Sequence, residues 1–155
     1  MVVKSLRHSS STIELIQETV LDLQGVKPIV LIFAQSAAYQ FYLVAWQYGL
    51  IVFNQQANVQ KTINWNAQLM QTKVLNTYLA VLTSEGLTVY NIAQNFEAMP
   101  CLPHSDLRSI TFDEGNLQVV IATTEYSILR FQLASQCTLL SKHPKNRGEN
   151  VLVAG

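Results

Sequence analysis

The chain has 155 residues, about the size of one domain, with 49% hydrophobic and only 13% charged side chains. Against an average charged fraction of about 25%, that excludes a disordered segment and leaves much apolar surface to bury, within the chain or against partners. Ten basic and ten acidic side chains cancel, so no global basic field draws nucleic acid or anionic lipid.

Residues 1–25 form an N-terminal segment. MVVKSLRHSSSTIEL has no long apolar run leading to a cleavage site, so no signal peptide is read there. Ser9, Ser10 and Ser11 beside His8 lack the strand–turn–helix setting of a nucleophilic serine and read as a solvated, phosphorylatable terminus. STIELIQETVLDLQ, from Ser11 to Gln24, supports two readings. Ser11 with Glu14 fits a capping box closed by Gly25, which would make a helix. Thr12, Ile13, Ile16, Thr19 and Val20 favour a strand instead.

PIVLIFA, Pro28 to Ala34, is the most apolar run. A membrane helix needs about 20 such residues, so the run is expected to be a buried strand. With neither a leader nor a membrane helix in view, the expected location is the cytosol or nucleus.

Two segments then match each other: YLVAWQYGLIVFNQQ, Tyr42 to Gln56, and YLAVLTSEGLTVYNIAQ, Tyr78 to Gln94. One constant offset pairs Gly49 with Gly86, Leu50 with Leu87, Val52 with Val89, Phe53 with Tyr90 and Asn54 with Asn91. A weaker third copy, LQVVIATTEYSILRFQL, runs from Leu117 to Leu133. There Ile128 matches Leu87, Phe131 matches Tyr90, Gln132 matches Asn91, and Ser127 stands for the glycine. Each copy is two short runs of β-branched, aromatic or aliphatic residues around a tight break, the pattern of a hairpin. Leu50 and Val52 occupy one face of their strand, Ile51 and Phe53 the other. A strand apolar on both faces has to be covered on both sides.

Further strands are expected at Val59 to Trp65, Leu69 to Leu75, Asp106 to Phe112 and Gln136 to Lys142. Asp113-Glu114-Gly115-Asn116 suits a short hairpin loop. The unit is thus four strands in about 40 residues, the period of a propeller blade. The tail from Lys142 begins as a loop (KHPKNRGEN), and VLVAG could start another blade.

Chemistry-bearing residues are sparse. Cys101 and Cys137 fit no zinc spacing and are too few for a disulfide framework, so they are expected as buried or half-buried thiols in a reducing compartment. Cys101 and His104 would make half a zinc site with no second half. No catalytic set, cofactor motif or metal cluster is evident. Arg130 falls where Val52 and Val89 sit in the other copies, and is expected to reach out of the sheet or to pair with Glu125 or another acid. Tyr39, Phe41, Trp46 and Trp65 crowd one stretch and are candidate interaction residues, or else core between sheets. Lys142, His143, Lys145 and Arg147 form a basic tail able to meet phosphates.

From about Val26 to Ser141 the chain resembles a divergent WD40-like β-propeller. The aromatic of the family's Trp-Asp pair is kept and the acid becomes an amide at Phe53-Asn54, Tyr90-Asn91 and Phe131-Gln132. The Gly-His pair is missing, and only His104, with Asp106 two residues on, lies near the family's histidine position. The resemblance implies an all-β fold of antiparallel four-stranded blades, about three of them, over residues 26–142. Residues 1–25 would then hold a strand of a preceding blade, and 143–155 a tail or the start of another. Propellers use about four to eight blades. The chain would therefore be a fragment, or be completed by partners or copies of itself, or stack in some other β arrangement. The implied function is a non-catalytic protein–protein interaction scaffold in a larger intracellular assembly, of trafficking, pore or kinetochore type by analogy. The alternative is a phosphoinositide-binding propeller, although that group's double-arginine motif is absent. The implied partners are proteins, not nucleic acid.

Overall fold

A computed structural model describes residues 1–8, 11–101 and 106–145. Its described residues form fourteen strands and one 3-10 turn, Ile92–Gln94. They divide into two compact units, Met1–Asn66 and Ala67 onward.

The first unit opens with β1 (Val2–His8) and β2 (Ile13–Val20), paired antiparallel. The strand reading of Ser11 to Gln24 therefore holds over its centre, and the helix reading is overturned. Cross-strand register explains why. Lys4 lies opposite Glu18 and Arg7 opposite Glu14, while Leu6 faces Leu15 and Val2 faces Val20. Opposite-charge and apolar pairs of this kind support an antiparallel ladder. Gln24 and Gly25, both at positive φ, turn the chain out of the strand.

The remaining strands of this unit form one sheet in sequence order: β3 (Pro28–Gln35), β4 (Gln40–Trp46), β5 (Gly49–Phe53) and β6 (Val59–Asn64). β4 and β5 are the expected hairpin. Leu50, Ile51, Val52 and Phe53 are all almost fully buried, so both faces of β5 are covered. Tyr42, Val44, Ile51 and Phe53 pack with Leu21, and Val3, Leu23, Val26 and Ala57 close around them.

PIVLIFA is a strand, as expected, but it is not buried. Ile29 is 57% and Phe33 50% exposed, and Leu31 is also exposed. β3 ends its sheet, so an apolar run there stands open on one side.

The second unit holds two sheets. One contains β7 (Leu69–Leu75), β8 (Tyr78–Thr83), β9 (Gly86–Asn91) and β10 (Glu97–Pro100). The other contains β11 (Ser109–Asp113), β12 (Asn116–Thr123), β13 (Ser127–Leu133) and β14 (Cys137–Pro144). The expected short hairpin loop joins β11 to β12, where Asp113 Oδ1 accepts from the Gly115 amide at 2.9 Å. The two sheets share one core. Leu82, Leu87, Val89 and Met99 from the first pack with Ile110, Val120, Leu129 and Phe131 from the second. Gln71 Oε1, projecting from a bulge in β7, accepts from the Ile110 amide of β11 at 2.9 Å and links the sheets.

Of the three amides that follow the repeat's aromatics, Asn54 and Asn91 close loops and Gln132 bridges β12 and β13. Asn54 Oδ1 accepts from the Gln56 and Asn58 amides at 2.9 and 3.0 Å. Asn91 Oδ1 accepts from Thr77 Oγ1 at 2.8 Å and from the Ala93 amide at 3.1 Å. Gln132 Nε2 donates to the Gln118 carbonyl at 3.3 Å.

Two expectations are corrected in this unit. His143 lies within β14, paired with Ile128, rather than in a loop, while Lys142, expected at the strand's end, pairs with Leu129. The ladder to β13 carries two residues beyond Lys142 because Ile128 and Ser127 still offer partners to His143 and Pro144. The cysteines are not free thiols. Cys101 and Cys137 are joined in a disulfide with their Cα atoms 5.0 Å apart, because the fold brings the end of β10 to the start of β14. Cys101 is thus not open to zinc. His104 lies outside the described residues, as do Ser9, Ser10 and Arg147.

Candidate protein-interaction surfaces

Strand β4 sorts the four candidate aromatics into two groups. Tyr39 and Phe41, at its start, stack with ring centroids 5.5 Å apart and planes 14° from parallel. Trp46 lies at its far end, edge-on to Tyr48 with centroids 6.0 Å apart. At about 3.3 Å per residue the strand holds these groups roughly 20 Å apart. Trp65 is buried and donates its indole N–H to the Gln47 carbonyl at 3.0 Å, which pins the β4–β5 turn. The structure therefore joins Trp46 and Trp65 at one turn and sets Tyr39 and Phe41 apart from them, half-buried at the other.

Gly49 is fixed by closeness. A Cβ there would lie 2.6 Å from the Ile63 carbonyl oxygen and 2.9 Å from Trp46 Nε1. Gly86, by contrast, takes φ 145°, where a side chain is strained.

Exposed apolar side chains gather on the first unit's outer strands. Ile29, Leu31 and Phe33 stand on β3, and Leu6, Ile13, Leu15 and Val20 on the β1–β2 pair. Phe33 also packs on Tyr42 with centroids 5.2 Å apart, so its ring is held in place with half its surface open. Uncovered apolar side chains gathered on one face mark protein interaction sites. Sequence reasoning read Ile29, Leu31 and Phe33 as buried, because nothing in PIVLIFA says that its strand ends a sheet.

In the second unit a groove of about 370 Å³ runs between β7 and the β11–β12 turn. It is lined by Val74, Leu75, Phe112 and Leu117, with Lys73 and Glu114 among its polar side chains. Asp113 also lines it but is already engaged. The Gly115 amide first, and then Arg130 at 2.6 Å, hold its carboxyl below the usual range. Its charge is thus spent on the turn and on Arg130, and the apolar lining of the groove comes from Val74, Leu75, Phe112 and Leu117. Arg130 thus finds an acid, as expected, but the acid is Asp113. Glu125 pairs with Arg108 at 3.4 Å on the surface.

Lys142 and His143 project from β14 and are exposed, with half-buried Lys145 just beyond. Among the described residues no cluster of three or more histidine, cysteine or acidic side chains is placed to hold a metal ion. No described helix is long and apolar enough to cross a membrane.

No protein-family model and no curated protein matches the chain. Solved structures do. The chain is similar to the N-terminal domain of Nup159, with a TM-score of 0.56 and 12% identity over 86% of its length. It is likewise similar to BBS1N, crystallised in complex with ARL6DN, with a TM-score of 0.57 and 14% identity over 84% of its length. Both are β-propeller domains.

The chain folds as part of a β-propeller.

Its four-stranded sheets are blades, and β3, β7 and β11 are the first strands of theirs. At this level of identity the likeness is one of fold. The chain spans 34% of the first neighbour's chain and 41% of the second's.

Proposed function

We propose that this chain is a non-catalytic scaffold whose propeller blades present strand faces and loops to protein partners in a multi-subunit assembly of the cytoplasm or nucleus. The observation that carries the reading is the open apolar face of β3, Ile29, Leu31 and Phe33, on a chain too poor in charge to keep such a face solvated by its surroundings. The neighbour crystallised in complex with another protein, ARL6DN, supports a partner-binding role for this fold. Tyr39 and Phe41, stacked and half-buried, are the preferred aromatic anchors.

The test is affinity capture from cells under native conditions, with Ile29→Glu/Phe33→Glu and Tyr39→Ala/Phe41→Ala beside the unaltered chain. The expected result is a stoichiometric complex with the unaltered chain. Each double variant should lose capture by tenfold or more, while its thermal midpoint stays within a few degrees. Recovery of a monodisperse, partner-free monomer of undiminished stability would sink the reading.

A membrane-surface role comes second, on the exposure of Lys142 and His143 along β14. Flotation with phosphoinositide-containing liposomes separates the two readings, and the scaffold reading expects no lipid-dependent flotation.

A further inference from the structure

Strand β10 is the shortest strand of the second unit. It has four residues, pairs only with β9, and ends at Pro100, which has no amide to donate. The next residue, Cys101, is 2% exposed. Its amide donates to the Leu87 carbonyl at 2.9 Å, and its sulfur is bonded to Cys137. Cys137 opens β14, opposite Leu133, and is only half-buried. The bond therefore ties the last strand of one blade to the last strand of the next. It closes a loop with a sequence separation of 36. The Cα separation of 5.0 Å falls within the range that a disulfide spans without backbone movement.

We propose that Cys101–Cys137 is a redox-dependent staple between two blades, so that the hold on β10 follows the thiol–disulfide balance around the protein. The exchange runs through the more accessible sulfur. A glutathione thiolate attacks Cys137 Sγ, and the Cys101–Cys137 bond breaks with its electron pair going to Cys101 Sγ, which takes a proton from solvent. A second glutathione thiolate then attacks the glutathione sulfur of the mixed disulfide. Glutathione disulfide leaves, and Cys137 is protonated. Two glutathiones are oxidised as one protein disulfide is reduced, and the reverse sequence, driven by glutathione disulfide, restores the staple. Reduced, the two blades keep their shared apolar core and the Gln71–Ile110 hydrogen bond, but β10 is left to its short ladder, to Met99 in that core and to the amide bond from Cys101. The unit is built to remain folded in both states. This inference stands whether or not the scaffold reading does, since it concerns only the second unit's own strands.

The experiment uses the full chain equilibrated in buffers of high and low glutathione disulfide. After denaturation, free thiols are counted by maleimide labelling and intact-mass spectrometry, and the thermal midpoint is measured on parallel samples. Under oxidising conditions the chain should take up no label and stay monomeric in mass. Under reducing conditions it should take up two labels, with a midpoint lower by about 5–15 °C. Cys137→Ser should show a low midpoint that does not respond to the buffer. If that variant fails to fold, the two states of the unaltered chain still decide. Two labels in the oxidising buffer, a disulfide-linked dimer, or equal midpoints with and without the bond would each overturn the proposal.

Discussion

Single side chains set the turns on which the blades depend. Asp113 holds the β11–β12 loop through the Gly115 amide and ties it to β13 through Arg130. Both contacts favour the charged carboxylate, so its folded value lies below the unfolded one. Stability from this group is therefore complete above the ordinary carboxylate range and is lost as pH falls through the lower, folded value. Asp113→Asn should accordingly be less stable than the parent at pH 7, and the gap in urea midpoint should close as pH falls below the ordinary carboxylate range. A gap that stays constant across that range would remove the charge from the explanation. Gly49 makes a different kind of demand. Gly49→Ala drives a methyl into the Ile63 carbonyl and the Trp46 ring edge, and should cost about 1–3 kcal/mol in chemical denaturation, as overpacking does. The repeat alignment marks this glycine only as part of the break in a hairpin. That a neighbouring strand's carbonyl forbids a side chain is information about tertiary approach, which spacing alone does not carry.

Strands are where sequence and structure agree most and differ most instructively. The hairpins at Tyr42, Tyr78 and Leu117 are legible because their residues are apolar on both faces, and a doubly buried strand leaves a continuous apolar run. β7 is read to its ends for the same reason of composition and punctuation. Strand β10 is missed: EAMP is short, ends in proline and has no alternation to detect. β3 is found but misjudged, since hydrophobicity reports the strand and not whether a layer lies over it. The disulfide is missed because two cysteines with a sequence separation of 36 reveal their proximity only when two blades are laid side by side. Gln71 is invisible for a like reason, as it acts through a bulge that re-aims it at the neighbouring blade. Gln71→Ala should cost about 1 kcal/mol by leaving the Ile110 amide without its partner. Thermal or urea unfolding that matches the parent would show that the bond adds nothing between blades.

Among the described residues of the whole molecule, four antiparallel strands recur in three sheets, and most of each sheet's buried residues lie on its two middle strands. That repetition accounts for the likeness to propellers at 12–14% identity, and the apolar middle strands of each sheet leave few positions for charge. Composition and period are enough to convey the repeat. Partner identity is not conveyed, because a surface such as Ile29, Leu31 and Phe33 differs from core only in what lies above it.

Amide hydrogen exchange followed by mass spectrometry tests the repeat most directly. Middle strands buried on both faces should exchange slowest, so protection should rise three times along the chain, over β4–β5, β8–β9 and β12–β13, with faster exchange at β3, β6, β10 and β14. A profile with one protected block, or with β3 as slow as β5, would contradict the blade architecture and the open apolar face together.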